Sequence, residues 1–308
     1  MSTWDPFEDR PAVLGDRYRI ESVLGEGGSG CVYEATDAKT RGRVALKLVE
    51  APALKAPLRF LAEARDMARL RHPRVVRVLD AGRDGSWYWM VMELMRGGSL
   101  KQRVEAEGPL APADALQRMY EVLQGLHAVH AASLVHRDVK PHNVLLDDKG
   151  QARLTDFGLA RHEAGDVPWK TRTGESLGSP AYRAPEQTRN PAGAGREADI
   201  YGTGAVLYFV STGRRPTFFY MMDDAEFARE TEGVPPSIAA VVRRAMSHLP
   251  DERYRTAFEM AAALGQAMDA LPDRKGPLVA ETWTRNFERI TTPSGGIWRR
   301  FRAMLGWS

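Results

Sequence analysis

The chain has 308 residues, of which 43% are hydrophobic and 27% charged, a composition typical of a soluble globular protein with a sizeable core. Its single cysteine, Cys31, excludes an intrachain disulfide and a cysteine-rich zinc site. The 43 basic and 40 acidic residues nearly balance, so we expect no nucleic-acid partner. The start of the chain lacks an apolar signal segment, and the longest apolar run, residues 200–210, predicts a buried helix instead of a membrane span. These features predict a cytoplasmic protein.

The first hundred residues are rich in predicted strands. Short β-prone runs separated by turn residues predict strands at residues 18–24, 31–35, 44–49, 75–79 and 87–92. Apolar residues at helical spacing predict a helix between residues 57 and 71. After Gly98 helices dominate, beginning with a long amphipathic helix at about residues 112–132. Strands followed by helices predict an α+β fold with two lobes.

A glycine-rich segment at residues 25–30 fits the pattern G-x-G-x-x-G. A dinucleotide-binding turn would open a helix after Gly30, but the residues that follow are β-prone. A Walker A loop needs a lysine directly after its last glycine, where this chain has Cys31. The favoured interpretation is a hairpin whose backbone N–H groups cover nucleotide phosphates, formed by Gly25, Glu26, Gly27, Gly28, Ser29 and Gly30.

Such a hairpin predicts a lysine on the next strand. Lys47 lies in the apolar run at residues 44–49, where an unpaired ammonium group would be costly to bury. We expect Lys47 to pair with phosphate oxygens and with Glu63 on the following helix. The alternative is a lysine at a strand edge that reaches solvent.

Three further motifs follow in order along the chain. Residues 136–143 read H-R-D-V-K-P-H-N, residues 156–158 read D-F-G, and residues 184–186 read A-P-E. A given tripeptide occurs by chance in about one of 25 proteins of this length, so the ordered set carries the argument and no single match does. With these residues the chain resembles the eukaryotic-like serine/threonine protein kinases of bacteria, over about residues 15–271. The resemblance implies a bilobal kinase fold, with a small β-rich N-lobe and a larger helical C-lobe.

The resemblance also implies a reaction: transfer of the γ-phosphoryl group of ATP to Ser or Thr hydroxyls of proteins, with Mg²⁺. It implies that Asp138 accepts or orients the proton of the substrate hydroxyl and that Lys140 contacts the γ-phosphate. The tyrosine-specific branch usually lacks this lysine, so Ser/Thr specificity is favoured. Asn143 and Asp156 would hold Mg²⁺, which prefers hard oxygen ligands. The adenine pocket is expected at Val32, Ala45, Met92, Glu93, Met95 and Leu145.

The same resemblance extends to the frame around the site. Asp199 is expected to hold the backbone of the catalytic loop, residues 136–143, and Glu186 to pair with Arg253 in the large lobe. His136 is expected to brace the loop structurally. The long polar segment between Asp156 and Glu186 suggests regulation by autophosphorylation, with phosphate recruiting arginines. The residues in this hypothesis are Arg137, Arg161, Thr171, Thr173 and Ser176.

The resemblance divides the chain into an N-terminal extension at residues 1–14, a kinase domain at 15–271 and a tail at 272–308. Within the domain, the N-lobe is expected at residues 15–94 and the C-lobe at 95–271. The tail has seven basic and three acidic residues and three of the seven tryptophans, with apolar residues at helical spacing. It is predicted to pack on its own lobe or contact a partner. The alternatives are peripheral contact with an anionic membrane surface and a juxtamembrane segment of a longer protein. The apolar run at residues 218–222 is expected to pack inward.

Two other functions remain alternatives. A pseudokinase that acts as a binding module usually lacks at least one of the four main site residues, which are all present here: Lys47, Asp138, Asn143 and Asp156. A small-molecule kinase of similar fold is disfavoured by Lys140 and by the complete segment that ends at residues 184–186.

Overall fold

The computed structural model describes residues 10–27, 30–50, 56–156, 180–189, 193–272, 279–280 and 282–283. Within these ranges the chain forms a small lobe built on an antiparallel sheet and a larger lobe built mainly of helices. The predicted α+β fold with two lobes is confirmed. None of the helices in the described part of the chain is long and apolar enough to cross a membrane.

Six strands form the sheet of the small lobe within the described residues, in the order β1-β2-β3-β4-β6-β5. Alternate residues of β4 and β6 enter two apolar clusters on opposite faces, as the two-residue period of a strand requires. Helix α1 packs against one face through Ala64 and Met67. The elements are β1 Val13–Leu14, β2 Tyr18–Gly27, β3 Gly30–Asp37, β4 Arg43–Glu50, α1 Ala56–Arg69, β5 Val78–Asp84 and β6 Trp87–Glu93.

The fifth strand begins three residues later than the sequence predicts. Val75 and Val76 are buried, but they lie against the large lobe, where the Val76 N–H donates to the Leu154 carbonyl at 2.8 Å. The strand instead runs through Gly82, which pairs with Trp89 and lets the Trp89 ring occupy the space that a Cβ would need. The polar sequence at residues 82–84 therefore forms a strand because of packing that its own pattern does not show.

The large lobe is organised around helix α5, whose central part is buried. Every residue from Ala198 to Val210 is buried, so the expected buried helix at residues 200–210 is confirmed. Helices α3 and α7 flank it, and a short hairpin of β7 and β8 faces the small lobe. The elements are α2 Leu100–Glu107, α3 Pro112–Ala131, β7 Val144–Leu146, β8 Ala152–Leu154, α4 Pro185–Arg189, α5 Arg196–Thr212, α6 Asp224–Glu230, α7 Pro236–Ala245 and α8 Ala257–Asp269.

The apolar run at residues 218–222 is only partly inward. Phe219 is buried and packs edge-on against Tyr208 and Phe227. Phe218 is 45% exposed and Met221 is 75% exposed, so the expected inward packing is wrong for these two side chains. A tight turn at Phe219–Met221 causes this split, because one short turn cannot direct all of its side chains into the core.

The start of the tail packs on its own lobe. Trp283 is 7% exposed and stacks on Tyr120 of α3, with ring centroids 4.0 Å apart. The Tyr120 hydroxyl donates to the Trp283 carbonyl at 3.0 Å, and the Asp269 carboxylate accepts from the N–H groups of Val279 and Ala280 at 2.8 and 3.0 Å. The interpretation that the tail contacts its own lobe is confirmed for these residues. Residues 284–308 lie outside the described residues.

Candidate active site

The glycine-rich segment is a hairpin between two strands. Strands β2 and β3 pair antiparallel, with Gly25 opposite Val32, Glu26 opposite Cys31, and Gly27 opposite Gly30. Gly30 has φ +124°, and a Cβ there would collide with the carbonyl oxygen of Leu48 on β4, so only glycine fits. The hairpin interpretation is confirmed over the dinucleotide-binding turn. Gly28 and Ser29 lie outside the described residues.

Lys47 is buried on β4 and joins the two lobes. Its Nζ atom lies 2.7 Å from Oδ1 of Asp156, which directly follows Thr155 at the end of the β7–β8 region. Asp156 has φ +55°, a conformation that costs free energy for a residue other than glycine and is typical of functional sites. The expected partner Glu63 lies on α1, but its side chain is outside the described residues. The solvent-facing alternative for Lys47 is wrong, because the residue is only 4% exposed.

The catalytic-loop carboxylate is held by two neighbours. Lys140 Nζ lies 2.8 Å from Oδ2 of Asp138, and the Asn143 amide donates to the same oxygen at 3.0 Å. The Asn143 amide also donates to the Asp138 carbonyl at 2.9 Å. Because both donors are on the loop itself, the Asp138 carboxylate keeps a fixed direction while remaining partly accessible.

Asp199 on α5 binds the backbone of the catalytic loop, as expected. Its fully buried carboxylate accepts hydrogen bonds from the N–H groups of His136 and Arg137 at 2.9 and 2.6 Å, and Nε2 of His130 lies 2.8 Å away. Such a group is stable when buried because its oxygens are all hydrogen-bonded. The two backbone bonds fix the loop relative to α5, and the contact with His130 connects α5 to α3.

His136 braces the loop as a neutral ring. Its Nδ1 accepts from the Asp138 N–H at 3.3 Å, and its Nε2 lies 3.0 Å from the Thr155 carbonyl. Burial lowers the pKa of His136, and the accepting Nδ1 requires the proton to be on Nε2. One ring therefore connects the backbone at Asp138 with the residue before Asp156.

Asn143 and Asp156 offer hard oxygen ligands side by side. The Asn143 Nδ2 atom lies 3.5 Å from the Asp156 backbone carbonyl, so the two residues are adjacent. The bonds described above use the Asn143 amide nitrogen and one Asp156 carboxylate oxygen, and they leave the amide oxygen and Oδ2 for other ligands. One carboxylate and one amide oxygen are ligands that Mg²⁺ accepts, so this donor set fits the ion.

Five of the six predicted adenine-pocket residues belong to one apolar cluster. Ala45 and Met92 are buried opposite each other in the β4–β6 ladder, and Val32, Met95 and Leu145 pack at its edge. The Thr155 hydroxyl lies 3.9 Å from the Met92 sulfur, which ties this wall to the Asp156 segment.

Glu93 is held by a residue to which the sequence analysis gave no role. The Glu93 Oε1 atom accepts from the Arg77 N–H at 2.8 Å and from Arg153 at 3.0 Å. Arg153 also binds Asp147 at 3.1 Å and lies opposite Leu145 in the β7–β8 hairpin. No sequence signal links Arg153 to Glu93, because the two are 60 residues apart and carry no motif.

Some of the remaining predicted residues are described by the structure, and others lie outside the described residues. Arg253 is 1% exposed and forms two hydrogen bonds to the Glu186 carboxylate, at 2.7 and 2.8 Å, so the expected ion pair is confirmed. Arg137 donates from Nε to the Ala194 carbonyl at 3.2 Å, and burial lowers the pKa of its guanidinium. Four predicted regulatory residues lie outside the described residues: Arg161, Thr171, Thr173 and Ser176.

Comparisons with known proteins agree with this geometry. The protein kinase domain family matches residues 18–260. The chain is 37% identical over 290 residues to the serine/threonine-protein kinase PknL of Mycobacterium bovis, covering 89% of this chain and 71% of that protein. It is 34% identical to the serine/threonine-protein kinase PrkC of Bacillus subtilis, covering 83% of this chain and 41% of that protein. The crystal structure of Rad53 in complex with AMP-PNP superposes with a TM-score of 0.64 at 25% identity, covering 80% of this chain and 64% of that one.

Proposed function

Because this chain belongs to the protein kinase family and is an ATP-dependent serine/threonine kinase, we propose that Asp138 is the group that orients the acceptor hydroxyl and takes its proton. The observation that carries the proposal is the fixed Asp138 carboxylate, held by Lys140 at 2.8 Å and Asn143 at 3.0 Å. In the reaction the acceptor oxygen bonds to the γ-phosphorus while the bond to the β-phosphate oxygen breaks. The hydroxyl proton passes to Asp138, and ADP leaves.

The cations of the site offset the charge of the transferring group. Lys140 lies on the same side as Asp138 and would contact the γ-phosphate, and Lys47 would contact the other phosphates. Asn143 and Asp156 would hold Mg²⁺, which when bound draws charge from the phosphate oxygens. Phosphoryl transfer requires mainly alignment and this kind of charge stabilisation.

The hairpin and the apolar cluster would bind the rest of the nucleotide. The β2–β3 hairpin, with Gly25, Glu26, Gly27 and Gly30 described, would cover the phosphates with backbone N–H groups. Apolar side chains would enclose the base, and the backbone at Glu93 and Met95 would bind its edge. Gly28 and Ser29 are included in this proposed nucleotide site because they complete the glycine-rich pattern of the sequence.

The test is labelling with γ-³²P-ATP and Mg²⁺ in the presence of a generic protein acceptor. We expect label on protein with the wild-type chain, and a loss of at least about a hundredfold with Asp138→Asn, since the variant keeps the shape but not the base. An active Asp138→Asn variant would contradict the role of Asp138. An inactive wild-type chain would indicate a pseudokinase, and label on small molecules alone would contradict protein kinase activity.

We also propose that the enzyme phosphorylates its own loop, at Thr171 and Thr173 ahead of Ser176. Arg137 adjoins Asp138 and Arg161 lies at the start of the loop, so a phosphate there could bind two guanidinium groups. Phosphopeptide mapping from the same incubation tests this. Modification in the wild type but not in Asp138→Asn is expected, whereas three unmodified residues would exclude it.

A further inference from the structure

Gln187 directly follows residues 184–186, and neither the motifs nor the proposed reaction gives it a role. It lies in the first turn of the short helix α4 and is only 8% exposed. The residue before it, Glu186, is bound by the buried Arg253, so the backbone of α4 is fixed at this point. A buried polar side chain in a fixed backbone needs hydrogen-bond partners, and those partners indicate what it does.

Both ends of the Gln187 amide are used. Its Oε1 accepts from the Ala184 N–H at 3.0 Å, and its Nε2 donates to the Arg137 carbonyl at 2.9 Å. The two partners are an N–H donor and a C=O acceptor, so they define which end of the amide is oxygen and which is nitrogen. One side chain therefore connects the end of the segment between Asp156 and Glu186 with the catalytic loop.

The Arg137 carbonyl belongs to the peptide group that leads into Asp138. On the other side of this peptide plane, the Asp138 N–H donates to His136 Nδ1 at 3.3 Å. The plane is thus held at both of its polar groups, by His136 and by Gln187. Arg137 itself has φ +64°, a conformation that a side-chain-bearing residue keeps only when its surroundings enforce it.

We propose that Gln187 is a positioning residue for the phosphoryl transfer, acting through the Arg137 carbonyl on the direction of the Asp138 carboxylate. It also makes that direction depend on the backbone at Ala184, where the long segment after Asp156 rejoins the large lobe. This inference rests on the proposed role of Asp138. Without the Gln187 donor, the peptide plane keeps only the 3.3 Å bond to His136, so it can turn and shift the carboxylate from the orientation needed for proton transfer.

A purely structural role is the competing explanation, and Gln124 provides a matched control. Gln124 is also a glutamine that is 8% exposed in the large lobe. Its amide donates to the Tyr120 hydroxyl at 3.2 Å, within α3 and away from the catalytic loop. Replacing either glutamine by methionine removes one buried amide of the same size.

The experiment measures kcat, the KM for ATP and the melting temperature of the full chain and of Gln187→Met, Gln187→Glu and Gln124→Met. We expect Gln187→Met to lower kcat about tenfold or more while the KM for ATP stays within about twofold, because the nucleotide pocket is elsewhere. Gln187→Glu keeps an acceptor for the Ala184 N–H but places an oxygen against the Arg137 carbonyl, so it should lower kcat similarly. Gln124→Met should keep kcat within about twofold.

Several results would overturn the proposal. These are wild-type kcat in Gln187→Met or in Gln187→Glu, and an equal loss of kcat in Gln124→Met. Each kcat is normalised to the fraction of folded protein. If Gln187→Met does not fold, Gln187→Glu provides the test, since an acidic side chain is stabilising in the first turn of a helix. Unchanged kcat in the Gln187 variants with an inactive Asp138→Asn would reject the positioning role alone. An active Asp138→Asn would reject the proposed function instead.

Discussion

His72 shows how burial of a single residue changes the response of this protein to acid. Its Nδ1 accepts from the Arg74 N–H at 3.1 Å, which requires the ring to carry its proton, if neutral, on Nε2. Burial is the main cause that lowers the pKa of His72 to about 4, with the charge of Arg74 adding to it. Burial also lowers the pKa of His127 and of His136. The folded state therefore disfavours protonation of three histidines.

We predict that stability falls as the pH drops below about 6.5, the ordinary pKa of an unfolded histidine. Below this pH the unfolded chain binds more protons than the folded chain, which favours unfolding. The stabilising effect of His72 is therefore complete above pH 6.5 and is lost by about pH 4. Because the ring is partly exposed, we expect His72 alone to contribute about 1 kcal/mol per pH unit in this window. Urea unfolding at pH 7.5, 6.0 and 5.0 measures the slope, and His72→Gln should make it shallower. An equal slope in the variant would contradict the assignment.

Helix α5 supports the catalytic loop through close backbone contact as well as through Asp199. A Cβ added at Gly202 would lie 2.8 Å from the Val139 carbonyl oxygen and 2.9 Å from the Val139 Cβ. Gly204 lies two residues further along α5. A Cβ added there would instead lie 2.6 Å from the Cβ of Ala245 on α7. The first glycine thus allows the loop to approach α5, and the second allows α7 to do so.

We predict different outcomes for the two glycine-to-alanine variants. Both Gly202→Ala and Gly204→Ala should lower the melting temperature, because overpacking costs about 1–3 kcal/mol. Only Gly202→Ala should also lower kcat, by about tenfold, because it displaces Val139 next to Asp138. Steady-state kinetics and thermal melting of both variants provide the comparison. Equal kcat in the two variants would show that the contact with Val139 is purely structural.

The same elements show what the sequence could predict. Helices α3 and α5 could be predicted, because an amphipathic repeat marks the first and a nearly continuous apolar run marks the second within their own sequences. The roles of Gln187 and Arg153 could not be predicted, since each depends on a partner 50 or 60 residues away and no motif marks either residue. The position of β5 was missed for the same reason: Trp89 explains Gly82 only after the sheet has formed.

At the scale of the whole molecule, the packed lobe continues past the boundary predicted at Leu271. Trp283 belongs to the same apolar cluster as the cores of α3, α5 and α8. Gly265 on α8 has no room for a Cβ, which would lie 2.7 Å from the Cα of Ala280. The described residues at 279–283 therefore pack as part of the large lobe, and we propose that the domain extends at least to residue 283.

We predict that two truncated chains will differ in stability. A chain ending at residue 283 should unfold with about the same free energy as the full chain. A chain ending at Pro272 should lose about 3 kcal/mol, the lower end of what removing a buried tryptophan costs. Urea unfolding followed by circular dichroism measures both, and Trp283→Ala in the full chain should reproduce most of the loss. Equal stability of the two truncations would place the boundary at residue 271 after all.

The longer truncated chain also tests the remaining tail. We propose that residues 284–308, which include Arg299, Arg300 and Arg302, contact an anionic membrane surface or a partner. Co-sedimentation with vesicles of phosphatidylglycerol and phosphatidylcholine should retain the full chain and lose the chain ending at residue 283. Equal sedimentation of the two would exclude membrane contact by this segment.

The packing of Trp283 also determines how a pulling force on the end of the chain would be transmitted to the enzyme. A pull on the chain beyond residue 283 acts first on the ring stack with Tyr120, and then on the hydrogen bonds to Asp269. Tension is therefore applied to the sides of α3 and α8. Near its end, α3 carries His130, whose ring is hydrogen-bonded to Asp199 beneath the catalytic loop. A tether attached to the end of this chain would be linked to the catalytic loop through helix α3 and the contact between His130 and Asp199.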